Sequence, residues 1–346
     1  MQLFAYDRDR SLLGVVERFT FLRWTRRYSE SGDFELRAAD DEQNRSLLRI
    51  GHILWKNDDG EAAIIEHLEL STVNSQLSTV LVRGRFATGV LHRRIVWSAE
   101  RLRGDIAAAV GQLIANHLIA PIDDDRRLAG FAVDDTPVGV AVNTQATYRN
   151  LLDVVEGLCG THDVGIKTAW CPDTRMFTFT LYKGIDSLAV FSREYENITL
   201  QERVESLLDY RNTALIGGEG EGEERYLAIV GGGSGYDRYE MFVDARDLIS
   251  GEFGDEYDAA LAERGRTKLA ENPAVDSFDA DINPHGNLTY KTDFDIGHRV
   301  MVVSKEWGVT LTTRITEITE TYDEDGLSLQ AVFGRGLLTL AQKLRG

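Results

Sequence analysis

Eight glycines in the stretch Leu215–Arg238 are the first candidate for chemistry, because glycine-rich turns can hold phosphate groups against backbone amides. A nucleotide-binding P-loop also needs a lysine followed by serine or threonine. The segment Gly217–Glu224 instead contains four glutamates and no lysine, and carboxylates repel phosphate. We therefore expect a solvated hairpin tip here, with no nucleotide cofactor.

A serine in the same stretch has part of the spacing of a hydrolase nucleophile. Gly232 precedes Ser234 by two positions, but Tyr236 stands where the nucleophile elbow requires a second glycine. The residues after Tyr236 predict a strand, whereas the elbow is followed by a helix. No catalytic serine is expected at this position.

The sequence FDADIN, which begins at Phe278, resembles the start of a calcium-binding EF-hand loop. Asp279 and Asp281 stand at the first and third ligand positions. The sixth position, which needs a glycine, is Pro284, and the twelfth, which needs a glutamate, is Tyr290. A polar-edged strand that runs into a proline turn accounts for the same letters, so we expect no calcium site.

Histidine and cysteine spacing gives no other metal site. None of the seven histidines is paired at i and i+4, and Cys159 and Cys171 are not part of a CxxC motif. Carboxylate pairs for glycoside hydrolysis could be drawn from any chain with 56 acidic residues. We expect no catalytic residue, metal or cofactor, and the chain is not expected to be an enzyme.

Length and charge limit the classes of partner. A chain of 346 residues should form two or three domains. Its net charge of −18 argues against tight binding to nucleic acid or to anionic membranes. The basic spots Arg23–Arg27 and Leu91–Trp97 are interpreted as strands with one charged face rather than as nucleic-acid stripes. The N-terminus lacks the features of a signal peptide, and no apolar run is long enough to span a membrane.

The apolar pattern divides the chain into β, mixed and β regions. Alternation and turn sequences predict strands across the first hundred residues. Helical spacing then predicts helices at about 102–117 and 145–158, with Thr144 as N-cap of the second, and a hairpin at 165–182. The remainder returns to strands, with one helix at about 257–271. The pattern predicts a mainly β fold with an α+β insertion of two helices and a hairpin.

Dense mixed charge marks the segment Gly235–Leu248 as a candidate contact surface. Arg238, Asp244, Arg246 and Asp247 are proposed to pair across a domain or subunit boundary, because the arginine fork suits a carboxylate. A solvated hairpin edge explains the same composition, and both interpretations stay open.

Four stretches carry a family resemblance: Phe21–Leu36, Leu215–Arg225, Gly235–Leu248 and Asp293–Gly334. The last contains a strand start of the form DxGxxV, a KEWG turn, an RITEI strand and a closing FG. With these features the chain resembles the hub proteins at the tips of bacteriophage tails and baseplates and of related contractile, phage-tail-like particles. Among these, it is most similar to minor tail proteins of siphoviruses with Gram-positive hosts.

The resemblance implies two β-barrel-like hub domains in tandem, with the α+β insertion in the first. On this sequence it assigns 1–98 with 192–230 to the first barrel-like domain and 99–191 to the insertion. Residues 231–346 form the second barrel-like domain, with one helix and a short C-terminal tail. That tail is expected to be helical over Gly336–Leu344.

The resemblance also implies a structural homotrimer. Two similar domains in each of three chains would give a ring of six repeats, which matches a six-fold tail tube. The expected partners are distal tail or tail tube proteins on one side and tail-tip, fibre or spike proteins on the other. The location would be the virion tail tip or baseplate, after synthesis in the bacterial cytoplasm.

The negative charge suits a channel wall that lets DNA pass without holding it. Because the chain ends soon after its last β region, cell-wall cleavage and receptor binding are expected to belong to other proteins.

Two other functions stay open at this stage. A cell-envelope glycosidase would need two carboxylates about 5 to 9 Å apart in a deep cleft. A carbohydrate-binding β protein would need exposed aromatic platforms, for which Trp97, Trp170 and Trp307 are the candidates. Core or interface packing explains these tryptophans as well.

Overall fold

The fold is mainly β, as the alternating pattern predicts. The computed structural model describes residues 1–73 and 77–335, and this part contains twenty-one strands and five α-helices. The strands are β1 (Leu3–Tyr6), β2 (Leu12–Val15), β3 (Phe19–Arg27), β4 (Asp33–Ala39), β5 (Ile53–Lys56), β6 (Ala62–Val73), β7 (Leu77–Phe86), β8 (Glu100–Asp105), β9 (Phe131–Asp134), β10 (Ala141–Ala146), β11 (Gly165–Cys171), β12 (Met176–Tyr182), β13 (Asp186–Phe191), β14 (Ile198–Ser206), β15 (Thr213–Gly217), β16 (Leu227–Gly231), β17 (Glu240–Asp244), β18 (Val275–Ile282), β19 (Arg299–Ser304), β20 (Val309–Asp323) and β21 (Gly326–Arg335). The helices are α1 (Glu42–Leu47), α2 (Ile106–Ile114), α3 (Leu151–Thr161), α4 (Ser250–Phe253) and α5 (Tyr257–Ala270).

Thirteen strands from both ends of the chain form one open sheet. Its order is β14-β18-β21-β20-β3-β4-β7-β6-β5-β1-β2, and β13 and β19 join it through β20. None of the sheets in the described residues closes into a barrel. The expected barrel-like closure is therefore corrected. Closure depends on strand tilt and stagger, whereas alternation of apolar residues reports only which face of a strand is buried.

Strand β20 joins the two terminal regions because its fifteen residues pair with two different neighbours on one edge. Its first half, Val309–Arg314, pairs with β19, and its second half, Glu317–Tyr322, pairs with β3. Strand β21 covers the other edge. Two apolar cores lie against this sheet, one around the N-terminal strands and one around the C-terminal strands.

Residues 100–182 contribute helices and small sheets beside the main sheet. Helices α2 and α3 pack into one apolar core with the hairpin β11–β12, and β9 pairs in parallel with β12. Asp105 caps α2 and accepts hydrogen bonds from the N–H groups of Ala107, Val138, Gly139 and Val140. Burial opposes ionisation of Asp105, but these four donors outweigh it and lower its pKa.

The remaining sheet, β16-β15-β17, is built on α5. The proposed division into 1–98 with 192–230, 99–191 and 231–346 stays a prediction. The expected helical tail, Gly336–Leu344, lies outside the described residues.

Candidate assembly surface

The small sheet of β15, β16 and β17 has one face packed against a helix. Its strands alternate so that Ala214, Ile216 and Val243 point to α5 and are buried there. Gly265 on α5 allows this close packing, because a Cβ at that position would lie 2.8 Å from Cδ1 of Ile216. The sheet is therefore fixed on a rigid support, and its other face is turned away from α5.

That outer face presents a continuous apolar row. Leu215 lies opposite Ile229 on β16 and opposite Phe242 on β17. The three side chains are 37%, 65% and 54% exposed, and Leu227 beside them is also exposed. Contiguous exposed apolar side chains framed by charge are typical of surfaces that bind another macromolecule, so this face is the candidate assembly surface. We name Leu215, Leu227, Ile229 and Phe242 the apolar row.

Charged side chains border the apolar row at the end of β17. The Arg225 guanidinium lies 5.2 Å from the ring centroid of Phe242, and its Nη2 donates to Asp244 at 2.6 Å. Arg246 donates to the same carboxylate at 2.7 Å. These hydrogen bonds, with those from Arg246 largest, lower the pKa of Asp244 to about 2. The carboxylate is therefore ionised throughout the physiological range.

The four contact residues predicted from sequence do not form one cluster. Asp244 and Arg246 pair with each other beside the apolar row. Arg238 pairs with Glu240 at the opposite end of β17. Asp247 faces α5 instead, where Arg264 donates to it at 2.8 Å. That these residues contact another subunit stays a prediction.

Asp247 contributes to a contact within the chain. The Nη2 group of Arg264 donates to Asp247 at 2.8 Å and also lies 3.2 Å from the backbone oxygen of Gln145 on β10. The Gln145 side chain donates to the backbone oxygen of Asp247 at 3.1 Å. These hydrogen bonds connect α5 and the segment after β17 to β10 in the helical region.

The apolar row was missed from the sequence. Its signal is that apolar residues occupy neighbouring positions, Leu215 with Ile216 and Ile229 with Val230, which makes both faces of these strands apolar. The glutamate-rich hairpin between the strands instead favours the prediction of a solvated tip. Strand pairing with Phe242, 27 positions after Leu215, cannot be inferred from local alternation.

A buried charge network lies apart from this surface. Lys56 on β5 is fully buried and binds Glu320 on β20 at 2.7 Å and Asp58 at 2.9 Å. Tyr322 donates to the same Glu320 at 2.7 Å. Burial lowers the pKa of Lys56, but Glu320 and Asp58 outweigh it and the net shift is upward. All these charges are paired, so the network stabilises the contact between strands from the two ends of the chain.

A second set of buried polar side chains also connects the N-terminal strands to the rest of the chain. Trp24 on β3 donates to Asp59 at 2.9 Å, and Arg26 on the same strand lies 3.7 Å from that carboxylate. Arg26 also donates to Asp295 at 2.7 Å. The predicted charged face of Arg23–Arg27 is therefore part of a strand, and its arginines pair with acids.

The EF-hand-like segment and the segment around Ser234 have the local structures predicted for them. Asp279 and Asp281 lie within strand β18, not in a loop. Ser234 precedes a short 3₁₀ turn and strand β17, without the helix of a nucleophile elbow. Within residues 1–73 and 77–335, no three His, Cys, Asp or Glu side chains are grouped so as to hold a metal ion. No described helix has the length and apolar character needed to cross a membrane.

The three candidate tryptophans lie in different environments. Trp170 is a core residue and contacts Phe177 at a centroid distance of 4.5 Å. Trp97 is half exposed, with the Arg126 guanidinium 4.1 Å from its ring centroid. Trp307 is partly exposed and packs on Phe278. They do not form a shared aromatic platform.

Comparison with known proteins places the chain in a viral family. The model of the family described as siphovirus ReqiPepy6 Gp37-like protein matches residues 2–335. No curated protein matches the chain.

Solved structures share the fold at low sequence identity. Prophage tail protein gp18 from Listeria monocytogenes EGD-e has 12% identity and a TM-score of 0.58, with 100% of this chain and 98% of that one covered. The 43 kDa tail protein of prophage MuSo2 from Shewanella oneidensis has 11% identity and a TM-score of 0.59, with 97% and 98% covered. A chain of the Francisella PdpA–VgrG complex has 5% identity and a TM-score of 0.52, with 96% of this chain and 52% of that one covered. This chain belongs to the siphovirus Gp37-like family and has the fold of prophage tail proteins.

Proposed function

We propose that the chain is a structural protein of a bacteriophage tail, and that it forms a trimeric hub at the tail tip or baseplate. The observation that carries this proposal is the match in fold to prophage tail proteins over almost the whole of both chains. We therefore propose a structural rather than an enzymatic role.

The apolar row supports self-assembly. A sheet face with exposed Leu215, Ile229 and Phe242 is unfavourable in a solvated monomer and favourable once covered. The mixed charges of Arg225, Asp244 and Arg246 at its border suit a surface that also carries both signs. Helix α5 lies between this face and the helical region, so the face is open to a second copy of the chain. If it contacts a different surface of that copy, the contact is heterologous, and heterologous contacts form a ring when the rotation between copies closes.

In this role the trimer adapts a six-fold tail tube to a three-fold tip. Each chain contributes two groups of strands, N-terminal and C-terminal, to one sheet, so three chains supply six groups. Tail tube or distal tail proteins would bind one side of the ring, and tip, fibre or spike proteins the other. The net charge of −18 suits a channel through which DNA passes without being held.

Two clefts in the described residues do not favour the glycosidase alternative. The larger of the two, of about 490 Å³, has one carboxylate in its wall, Glu66, and the smaller has one, Asp125. Arg85 donates to both oxygens of the Glu66 carboxylate, at 2.7 and 3.0 Å. Glycoside hydrolysis uses two carboxylates, one on each side of the scissile bond.

Electron cryomicroscopy of the purified protein tests the proposal. We expect ring-shaped particles with three-fold symmetry and an open channel, with the apolar row between neighbouring copies. Particles of another symmetry, or single chains throughout, would contradict the trimeric hub. Cleavage of purified cell-wall glycans by the same preparation would contradict the structural role.

A further inference from the structure

Two adjoining clefts concentrate arginines on a chain whose net charge is −18. The larger cleft, of about 490 Å³, lies between the β1–β2 turn and β9, and Arg8, Arg10 and Arg93 line it. The smaller, of about 300 Å³, is lined by Arg93, Arg94 and Arg126. Arg93 belongs to both clefts, so they form one surface. We name these five arginines and the two clefts the arginine cleft.

The arginines of the β1–β2 turn are oriented by backbone carbonyls. Arg8 Nη2 donates to the oxygen of Ile50 at 2.9 Å, and Arg10 Nη1 donates to that of Ala129 at 2.9 Å. The Nε of Arg10 is buried and has no hydrogen-bond partner in the described residues. A carbonyl satisfies a donor without neutralising its charge, so both guanidinium groups keep their attraction for an anion.

The smaller cleft has the same construction. Arg94 Nε donates to the backbone oxygen of Arg126 at 2.8 Å, and Arg126 Nη2 donates to that of Ile95 at 2.7 Å. Burial lowers the pKa of Arg94, and the positive charges of Arg126 and Arg93 lower it further. Like charges are thus held together here, and an anion between them would relieve their repulsion.

This part of the chain differs from the sequence-based interpretation. Leu91–Trp97 was expected to be a strand with a charged face. It instead contains the end of a 3₁₀ segment, Ala87–Arg93, followed by an extended stretch. The bend brings the consecutive residues Arg93 and Arg94 to the same smaller cleft, whereas a strand would point them to opposite faces.

Carboxylates within the cleft pair with one of the five arginines, Arg93. The two that line it are Glu66 and Asp125. Glu66 is held by two hydrogen bonds from Arg85, and Arg93 reaches it at 3.4 Å. Asp125 is the carboxylate in the wall of the smaller cleft. Five arginines therefore face two carboxylates, one of which is already bound by Arg85.

Apart from the arginines and carboxylates, the walls of the larger cleft are mostly apolar. These apolar walls limit the chemical class of anion that can bind. Ile50, Val90, Leu128 and Phe131 line the larger cleft. Single-stranded nucleic acid would need open aromatic faces on which bases can stack. Trp97, the aromatic residue of the smaller cleft, has the Arg126 guanidinium over its ring at 4.1 Å. Apolar walls beside oriented arginines fit a polypeptide that carries both acidic and large apolar side chains.

We propose that the arginine cleft binds an acidic segment of a partner protein, in which carboxylates flank one or two large apolar side chains. The carboxylates pair with Arg8, Arg10 and Arg94, and the apolar side chains enter the larger cleft. This binding does not depend on ring formation, because no residue that lines the two clefts belongs to the apolar row.

Fluorescence anisotropy with a labelled probe peptide, Glu-Asp-Leu-Phe-Glu-Asp, tests the proposal on the full chain. We expect saturable binding that weakens as salt is added, because arginine–carboxylate pairs are screened by salt. Two control peptides separate charge from apolar contact: Gln-Asn-Leu-Phe-Gln-Asn and Glu-Asp-Ser-Ser-Glu-Asp. Each should bind about tenfold more weakly, which corresponds to about 1.4 kcal/mol. Absence of saturable binding, or equal affinity for all three peptides, would overturn the proposal.

Variants identify the surface that binds the probe. Arg10→Gln and Arg94→Gln should each weaken binding about five- to tenfold, since each removes one charged hydrogen-bond donor. The matched control is Arg193→Gln, which removes the same charge from an exposed arginine paired with Glu306. An equal loss in the control would mean that only net charge matters and that the cleft is not the site.

A fallback for a variant that does not fold and a comparison with a nucleic acid complete the test. Should Arg10→Gln fail to fold, Arg94→Gln and the control peptides still decide the outcome. Tighter binding of a single-stranded oligothymidylate than of the acidic peptide would show that the cleft is a nucleic-acid site, and the proposal would be wrong.

Discussion

Glu61 is a buried carboxylate whose protonation is linked to the stability of the protein. It accepts a hydrogen bond from the backbone N–H of Thr168 at 3.2 Å. Burial, followed by the negative charge of Asp59, raises its pKa to about 7, against the opposing effect of Arg26. The folded protein therefore favours the neutral acid. This contribution to stability is complete below the ordinary pKa of 4.5 and is lost as the pH rises through about 7.

Glu61→Gln should therefore stabilise the protein in a pH-dependent way. The amide keeps an acceptor for Thr168 and carries no charge. We expect the free energy of unfolding to rise by up to about 3 kcal/mol near pH 8 and by less than about 1 kcal/mol near pH 5. Urea unfolding at the two pH values measures this difference. Glu17→Gln, at an exposed position, is the matched control, and an equal gain for Glu61→Gln at both pH values would contradict the account.

At the scale of elements, much of the strand pattern could be predicted from sequence. The strands predicted across the first hundred residues correspond to β1–β7, the hairpin predicted at 165–182 corresponds to β11 and β12, and the helix predicted at 257–271 is α5. These segments combine clear periodicity with turn residues at both ends, so local signals were sufficient.

The start of α3 shows where local signals fail. The sequence indicated Thr144 as its N-cap, but Thr144 lies in β10, which pairs with β8. The helix begins at Leu151 and Asn150 is its N-cap. The apolar spacing of the preceding residues also suits a strand, and tertiary pairing with β8 decided between the two. The pairing of β3 with β20, almost three hundred residues away, is likewise invisible to local patterns.

Asn150→Ala tests the observed helix start. The Asn150 side chain accepts hydrogen bonds from the N–H groups of Leu152 and Asp153 and donates to the backbone oxygen of His92. Its loss should reduce the free energy of unfolding by about 1 to 2 kcal/mol. Denaturant unfolding measures the loss. Asn150→Asp keeps the capping oxygen and should lose less, and equal losses in both variants would argue against the capping role.

At the scale of the whole molecule, the two ends of the chain form one structural unit. The pairing of β3 with β20 and the buried bond between Lys56 and Glu320 hold the N-terminal strands to the C-terminal strands. Breaking a buried charge pair is costly, so the two groups of strands keep a fixed relation. A hub ring needs such rigidity, because each chain would present both groups of strands to a tail tube.

The candidate surface could be predicted only in part. The composition of the sequence singles out Asp244 and Arg246, which border the apolar row, and their contact with another subunit stays a prediction. The apolar row needed the pairing of three strands, which brings Leu215 between Ile229 and Phe242. A contact surface is a property of assembled elements, so composition could locate its border but not its apolar centre.

The solution mass tests the central claim most directly, by light scattering coupled to size exclusion across a wide range of protein concentration and salt. We expect a species of three chains of 38.7 kDa, or about 116 kDa. Phe242→Asp should shift it to the monomer, because a carboxylate in the apolar row would be buried unpaired in the interface. Ile122→Asp, at another exposed apolar side chain, should leave the trimer intact. A mass of 38.7 kDa for the unaltered protein under every condition would contradict the trimeric hub.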